Sequence, residues 1–261
     1  MTLPEQEFTP ATLSEMDGLR FLHIGSDWIH GAMCIDDPLK IECEYAERMC
    51  GWMLWREPGQ LDRGHAIQFG LGVGTLTRYT HGVLRMKTTA IEINPHVIQA
   101  CRDSFDLPDD DELLSVVCAD AQDWARHAQP GQAQVLNVDV YGEDTSGPAL
   151  DDEAFYATCR ALLADGGLMT VNLIYAHAGY ERSVERIARV FGAAQVWRLN
   201  APKDSNSAGN AILVAGRQVR FPDRDTLEQR ARAIEDRHGL PAIEWLGLIQ
   251  PAYLDAVDLA G

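Results

Sequence analysis

The chain has 261 residues, of which 46% are apolar and 23% are charged. This balance is typical of a globular protein with a sizeable core and excludes a disordered or fibrous chain. Because 39 Asp and Glu residues outnumber 22 Lys and Arg residues, the formal net charge is −17. Such a surface repels phosphate backbones and attracts small cations, so we expect no nucleic-acid partner.

The six cysteines are widely spaced, and they form neither a C-x-x-C pair nor a Cys/His cluster at zinc spacing. We therefore expect buried thiols in a reducing compartment and no metal site. The N-terminal segment lacks a basic and apolar leader, and no apolar run approaches the roughly 18 residues of a membrane span. These features predict a cytoplasmic protein without a membrane partner.

The first part of the chain predicts a small N-terminal unit over residues 1–60. Apolar stretches at 20–24 and 28–33 flank the turn residues Gly25-Ser26-Asp27, which indicates a β-hairpin. From Pro38 onward, apolar residues recur every three or four positions, and this spacing predicts a helix that ends at Pro58-Gly59. The stripe consists of Ile41, Tyr45, Met49, Trp52 and Trp55.

From His65 the pattern changes to apolar runs of five or six residues that alternate with helical segments, which predicts repeated βα units and a parallel sheet. Predicted strands lie near 65–70, 88–93, 113–118, 134–139 and 168–174, and predicted helices lie near 75–85, 95–104, 121–128, 151–164 and 179–191. Two more strands, 195–200 and 210–215, are joined by a loop too short for a crossover helix and should pair antiparallel.

The predicted total is seven strands in a mostly parallel sheet that ends in an antiparallel hairpin. This is the sheet of the Rossmann-like α/β fold of methyltransferases that use S-adenosylmethionine. We expect residues 61–220 to form this nucleoside-binding domain and residues 221–261 to form a C-terminal helix and tail. The tail should pack through Ile243, Trp245, Leu246 and Ile249.

A glycine-rich motif follows the first predicted strand of this domain. Its form is G-x-G-x-G at Gly70, Gly72 and Gly74, which allows a tight turn and a close approach of the backbone to a ligand. A dinucleotide fingerprint requires Gly or Ala where this chain has Thr75, so pyrophosphate binding is disfavoured. A glycine-rich turn that binds nothing remains the alternative.

Two carboxylates end the next two strands. Glu92 lies 22 positions after Gly70, where an acidic side chain can accept hydrogen bonds from ribose hydroxyls; the alternative is a solvated, helix-capping carboxylate before Asn94-Pro95. Asp120 ends the third strand and could accept a hydrogen bond from an adenine amine, but a helix N-cap explains it equally well.

Asp139 closes the fourth strand and opens an acidic segment that reaches Pro148. Because ligands of open parallel sheets bind beyond the carboxyl ends of the strands, this segment should face the same crevice as Gly72 and Glu92. It favours a cationic ligand, unless it is only a solvated acidic loop.

In order and spacing, these segments resemble the polyamine aminopropyltransferases, that is, spermidine synthase and its relatives, from residue 20 to about residue 215. The resemblance implies decarboxylated S-adenosylmethionine or S-adenosylmethionine as co-substrate, a small amine as second substrate and a homodimer. The segments that carry it are Glu44-Tyr45-Ala46-Glu47, the glycine motif, Ile91-Glu92-Ile93-Asn94-Pro95, Asp120, Asp139 to Pro148, Phe155-Tyr156 and Leu163 to Gly167.

The resemblance also implies a role for individual residues. Glu92 would bind the ribose, Asp120 the adenine and Asp139 the aminopropyl amine. His30 stands where the family has a glutamine, although a lone histidine on a hairpin commonly has only a structural role. The remaining implied contacts are Gly70, Gly72 and Gly74 with the nucleoside and Tyr45, Glu47 and Tyr141 with the amine substrate.

The general base is open between two alignments. The family has a second aspartate three positions after the first, and counting forward from Asp139 places Gly142 there, which has no basic group. Counting back from Gly147-Pro148 places Asp144 there, with Glu143 as a substitute. We favour Asp144, because only a carboxylate can take the proton of an ammonium substrate.

Two other functions remain compatible with the sequence: methyl transfer from S-adenosylmethionine, and non-catalytic binding of a nucleoside. No basic residue lies between Asp139 and Asp152. This favours a ligand without a carboxylate, and therefore aminopropyl transfer from the decarboxylated nucleoside.

Overall fold

A computed structural model of the chain describes residues 8–141, 148–175, 178–202 and 209–252. The N-terminal part forms a three-stranded antiparallel sheet of β1 (Ala11–Met16), β2 (Leu19–Ile24) and β3 (Gly31–Cys34). The predicted hairpin corresponds to β2 and β3, whereas β1 was not predicted. Nearly all side chains of β1 are exposed, so its sequence lacks the alternation that burial of one face would require.

The second sheet has the order β11-β9-β10-β8-β7-β4-β5-β6. Strands β4 to β8 pair in parallel, and β9, β10 and β11 are added antiparallel. The predicted α/β fold class is confirmed. The strands are β4 (His65–Phe69), β5 (Lys87–Glu92), β6 (Leu114–Cys118), β7 (Ala133–Val138), β8 (Leu163–Ile174), β9 (Val196–Leu199), β10 (Asn210–Gly216) and β11 (Ile249–Pro251).

The predicted count of seven strands is one short, because the tail supplies β11. This strand has only three residues and ends in a proline, so it carries little pattern of its own. In the tail, Trp245 is buried and Leu246 and Ile249 pack on the core as expected, but the side chain of Ile243 is 47% exposed. The division at residues 60 and 220 stays a prediction.

Within the described ranges, four helices begin at side-chain N-caps, each of which accepts a hydrogen bond from a backbone N–H of the first turn: Asn94, Asp120, Asp152 and Asp223. Each cap residue lies directly between a strand or loop and its helix, so it determines the residue at which the helix begins. The helices are α1 (Glu44–Met49), α2 (Thr75–Arg78), α3 (Pro95–Ser104), α4 (Ala121–His127), α5 (Glu153–Leu162), α6 (Tyr180–Phe191), α7 (Arg224–His238) and α8 (Ala242–Leu246).

The prediction of a single helix from Pro38 to Pro58-Gly59 is wrong. α1 ends at Met49 and continues as a 3₁₀ helix over Cys50–Trp55, in which every side chain is buried, with a further short 3₁₀ turn at Pro58–Gln60. A residue with a Cβ at Gly51 would meet Leu199 at 2.8 Å, so the segment lies tightly against the sheet. Trp52 and Trp55 therefore belong to the core of the chain and offer no surface for a second copy.

Both faces of the central sheet are covered, as parallel strands require. Val135 and Leu168 point to one face, toward Trp52 and Trp245, and their neighbours Leu136 and Met169 point to the other. The helices that cover the second face are α4, α5 and α6. This packing holds the carboxyl ends of the parallel strands in one rigid row, and the candidate site lies there.

Candidate active site

A cavity of about 670 Å³ lies at the carboxyl ends of the parallel strands, where open α/β sheets bind their ligands. Its volume is in the range of small-molecule sites. The N-terminal unit contributes Ile24, Trp28, Ile29, His30 and Tyr45 to one wall. From the central sheet it is lined by Gly70, Gly72, Ile91 to Ile93, Val97, Ala119 to Ala121, Asp139 to Tyr141, Ala149, Leu150, Asn172, Ile174, Gly209 and Asn210.

The glycine motif brings backbone to the cavity in conformations that favour glycine. Gly70 has a φ of +85°, and a Cβ there would lie 2.1 Å from the backbone oxygen of Asp139. Gly72 has a φ of +53° and lines the cavity. Gly74 does not line it. That residue is the buried N-cap of α2, where a Cβ would lie 3.2 Å from Nη1 of Arg78.

Glu92 connects the glycine motif to the start of α3. Its Oε2 accepts a hydrogen bond from the backbone N–H of Leu71, and its Oε1 accepts one from the backbone N–H of Asn94, both at 2.9 Å. Burial raises the pKa of Glu92, and these backbone hydrogen bonds oppose the increase. The N-cap of α3 is Asn94, so Glu92 does not have the helix-capping role that was its alternative; its carboxylate instead holds the glycine motif and Asn94 by their backbone N–H groups, and it also lines the cavity.

Asp120 lies both at a helix N-cap and at the cavity, the two positions that its sequence context suggested. As the N-cap of α4, its Oδ1 accepts a hydrogen bond of 2.8 Å from the backbone N–H of Asp123. The same residue lines the cavity next to Ala119 and Ala121. A cap that faces a crevice can hold a ligand at the strand end and begin the helix at the same time.

Asp139 is half-buried among neutral hydrogen-bond donors. Its Oδ1 accepts a hydrogen bond of 2.9 Å from Nδ2 of Asn172, and the Tyr45 hydroxyl donates a second hydrogen bond to the carboxylate. Burial raises the pKa of Asp139, whereas both hydrogen bonds lower it. The charge of Asp139, together with burial, raises the pKa of Tyr45 well above its usual range. Nearby, the Tyr141 hydroxyl donates to the backbone oxygen of Asn172 at 2.8 Å.

The turn between β2 and β3 forms the outer wall of the cavity. A Cβ at Gly72 would lie 3.7 Å from the backbone oxygen of His30, so this turn lies directly over the glycine motif. Trp28 and Ile29 are 61% and 51% exposed although both line the cavity. Sequence reasoning treated these two residues as strand residues and missed their position. The signal that could have found them is an apolar pair immediately after turn residues.

Glu47 is not among the lining residues. It lies two positions after Tyr45 on α1, and two residues of a helix with 3.6 residues per turn point in nearly opposite directions. Burial and the charge of Glu44 raise the pKa of Glu47 to about 7. The candidate bases Glu143 and Asp144, with Gly142, lie outside the described residues; at the ends of that segment Tyr141 and Pro148 pair as an antiparallel bridge.

The described lining contains three carboxylates, Glu92, Asp120 and Asp139, and neither a lysine nor an arginine. Among the residues that the structure describes, no group of three or more His, Cys, Asp or Glu side chains is arranged to hold a metal ion. Within the same ranges, no helix is both long enough and apolar enough to cross a membrane.

The sheet order, the glycine motif and the row of strand-end carboxylates define the class as a methyltransferase-like α/β protein with a crevice at the carboxyl ends of its parallel strands. Solved structures agree on this fold. A probable spermidine synthase from Corynebacterium glutamicum has a TM-score of 0.70 at 19% identity over 88% of this chain and 85% of its own. Human methyltransferase-like protein 13, in complex with SAH, has a TM-score of 0.64 at 22% identity over 75% of this chain and 92% of its own.

The sequence comparisons identify the family. No protein-family model matches the chain. A polyamine aminopropyltransferase of Chromobacterium violaceum is 30% identical over 250 residues, which cover 95% of this chain and 90% of that protein. One from Neisseria meningitidis is 30% identical over 234 residues, which cover 89% and 86%. The chain belongs to the polyamine aminopropyltransferase family.

Proposed function

We propose that the protein transfers the aminopropyl group of decarboxylated S-adenosylmethionine to a small diamine such as putrescine. In this reaction an uncharged amine nitrogen attacks the carbon bonded to the sulfonium sulfur. The new C–N bond forms as the C–S bond breaks, its electron pair remains on sulfur, and the nitrogen gives up a proton. The products are an elongated polyamine and the uncharged thioether nucleoside. The site residues need only align the partners and take the proton.

The charge of the cavity carries this proposal. S-adenosylmethionine has an α-carboxylate, whereas the decarboxylated nucleoside ends in an ammonium group. Three carboxylates and no lysine or arginine on the described lining favour the ammonium over the carboxylate. Asp139, which accepts hydrogen bonds from Asn172 and Tyr45, is the group proposed to bind it. Glu92 and Asp120 would bind the ribose and the adenine, with Gly70, Gly72 and His30 against the nucleoside.

The test compares the two nucleosides. We expect titration calorimetry to show tighter binding of decarboxylated S-adenosylmethionine than of S-adenosylmethionine. Incubation with a panel of diamines should then release polyamine and thioether nucleoside in equal amounts. Preferred binding of S-adenosylmethionine with methyl transfer would contradict the proposal and favour a methyltransferase. Binding of either nucleoside without turnover of any diamine would favour a non-catalytic protein.

The proposed proton acceptor is Asp144, with Glu143 as the alternative. A diamine substrate has a pKa near that of lysine, about 10.4, so at neutral pH its amine is protonated and must lose a proton before it reacts. Substitution Asp144→Asn preserves shape but removes basicity. We expect the rate to fall by roughly 100-fold while the nucleoside is still bound. An unchanged rate would contradict this assignment, and the same measurement on Glu143→Gln would test the alternative.

A homodimer and a cytoplasmic location complete the proposal. The dimer is supported by the family resemblance alone. The aromatic residues Trp52 and Trp55 of the α1 stripe, which would otherwise be candidates for contacts with a second copy, are buried in the core of the chain. Light scattering at micromolar concentration should give twice the mass of one chain, 28.9 kDa. The measured mass of a single chain would contradict the dimer.

A further inference from the structure

A chain of hydrogen bonds leads from the cavity into the sheet. Asn172 is nearly fully buried on β8, one position beyond the pairing of Val138 with Val171, and therefore lies beside Asp139. Its Nδ2 donates to Oδ1 of Asp139 at 2.9 Å, and its Oδ1 accepts from Nδ2 of Asn210 at 2.9 Å. Both ends of this amide are therefore engaged.

These contacts allow one orientation of the amide. A carboxylate only accepts hydrogen bonds, so the amino group of Asn172 must face Asp139, and its carbonyl must then face the amino group of Asn210. The backbone is held as well. Tyr141 donates its hydroxyl to the backbone oxygen of Asn172 at 2.8 Å, and Nη2 of Arg48 donates to the backbone oxygen of Asn210 at 3.1 Å.

We propose that Asn172 is a positioning residue for aminopropyl transfer: itself fixed by Asn210, it holds the Asp139 carboxylate in one orientation toward the ammonium group of the nucleoside. This inference rests on the proposed function. Asn172 lines the cavity, but its side-chain groups are occupied by Asp139 and Asn210. Its role is therefore exerted through the carboxylate.

The hydrogen bond from Asn172 also affects the protonation of the Asp139 carboxyl group. Burial favours the neutral acid of Asp139, which could not form an ion pair with an ammonium ligand, and the donors Asn172 and Tyr45 oppose this effect. Among the described residues, the titratable side chains that interact with Asp139 are Cys43, Tyr45 and Tyr141, all of which are neutral when protonated. Asn172 is thus, with Tyr45, a described donor whose hydrogen bond favours the ionised form of Asp139.

A matched control lies two residues earlier on the same strand. Thr170 is fully buried on β8, and its Oγ1 donates to Oδ1 of Asn137 on β7 at 2.5 Å, across the same pair of strands. Neither residue is among those that line the cavity. Thr170→Val removes this hydrogen bond with little change in volume, so it reproduces the structural cost of losing a buried cross-strand bond without touching Asp139.

The experiment uses Asn172→Leu, which removes the donor, and Asn172→Asp, which keeps the shape but places a second carboxylate beside Asp139. The carbon resonance of the Asp139 carboxyl group, assigned with Asp139→Asn, is followed by NMR against pH. We expect the pKa of Asp139 to rise in the Leu variant. In the Asp variant we expect the pair to titrate in two steps, the second well above the usual range. Thr170→Val should leave the pKa of Asp139 unchanged.

Kinetics then test the positioning. At pH 7 we expect KM for the decarboxylated nucleoside to rise by about 10- to 100-fold in both Asn172 variants, with a smaller change in kcat, because a charge-assisted contact is lost. The acidic limb of the pH profile of kcat/KM should move to higher pH. Thr170→Val should leave KM and this limb in place.

An Asp139 pKa that is the same in wild type and both Asn172 variants would overturn the inference, and so would an equal rise of KM in Thr170→Val. If the wild type transferred no aminopropyl group to any diamine, the proposed function would fail, and the NMR titration would still decide whether Asn172 controls the carboxylate. If the Leu variant does not fold, the nearly isosteric Asp variant provides the same comparison.

Discussion

Glu92 contributes both to the local structure and to the proposed binding of the nucleoside. Its two oxygens accept backbone N–H groups from the glycine motif and from the start of α3 while the carboxylate lines the cavity. We expect Glu92→Ala to weaken binding of the decarboxylated nucleoside by about 1 to 3 kcal/mol in titration calorimetry, through loss of charge-assisted hydrogen bonds to the ribose.

The control for this prediction is Asp123→Ala, which removes one exposed carboxylate from the first turn of α4. It should leave the affinity unchanged, because Asp123 is not among the lining residues. Thermal unfolding of both variants shows how much stability Glu92 contributes by joining the two loops. An unchanged affinity in Glu92→Ala would contradict a role in ribose binding.

The strand-end carboxylates could be predicted from the sequence, but their partners could not. Glu92, Asp120 and Asp139 each follow an apolar run, and parallel topology places the ends of such runs in one row. Asn172 is one polar residue within an apolar run, and its contact with Asp139 depends on the register of two strands 33 residues apart. Register across a sheet is set by the packing of the whole core.

The elements that the sequence predicts well are those with one buried face and a clear beginning. α3 has the predicted bounds, 95–104, because Asn94 caps it and Pro95 occupies its first turn. The two segments that the sequence does not predict correctly lack the contrast between a buried and an exposed face. β1 is exposed along nearly its whole length, whereas the 3₁₀ segment Cys50–Trp55 is buried on every side. Neither produces a periodic pattern.

On α1, Glu47 makes a testable contribution to the pH dependence of stability. Burial, with the nearby charge of Glu44, raises its pKa to about 7 in the folded protein, whereas an unfolded glutamate has a pKa of about 4.3. Between these values the folded state retains a proton that the unfolded state has released. The free energy of unfolding therefore falls as the pH rises from about 4.3 to about 7. Above pH 7 Glu47 is ionised in both states and causes no further change.

We expect Glu47→Gln to be more stable than the wild type at pH 8 by roughly 1 kcal/mol, a value reduced because the group is partly exposed to solvent. The difference should be smallest at and below about pH 4, where Glu47 of the wild type is mostly protonated in both states. Urea unfolding across this range measures it. Glu112→Gln, which removes an exposed carboxylate, should show no such pH dependence. A difference of equal size at pH 4 and pH 8 would contradict the assignment.

At the scale of the whole molecule, the dominant property is the formal charge of −17. The described lining of the cavity is acidic as well, with three carboxylates. A field of one sign that converges on a crevice raises the local concentration of ligands of opposite charge. Both proposed substrates are cations, so the surface and the site would act on them in the same direction.

This arrangement predicts a salt dependence of the reaction that scales with substrate charge. We expect kcat/KM for a diamine to fall by roughly 10-fold when the ionic strength is raised from about 0.01 M to about 0.3 M, because the screening length shrinks from about 30 Å to well under 10 Å. The change should appear in KM, since steering affects the encounter and not the bond-breaking step. A monoamine acceptor of similar length carries half the charge and should show a clearly smaller decrease. Equal salt dependence for the two amines would show that the field of the molecule does not guide the substrate, and the acidic composition would then have no role in catalysis.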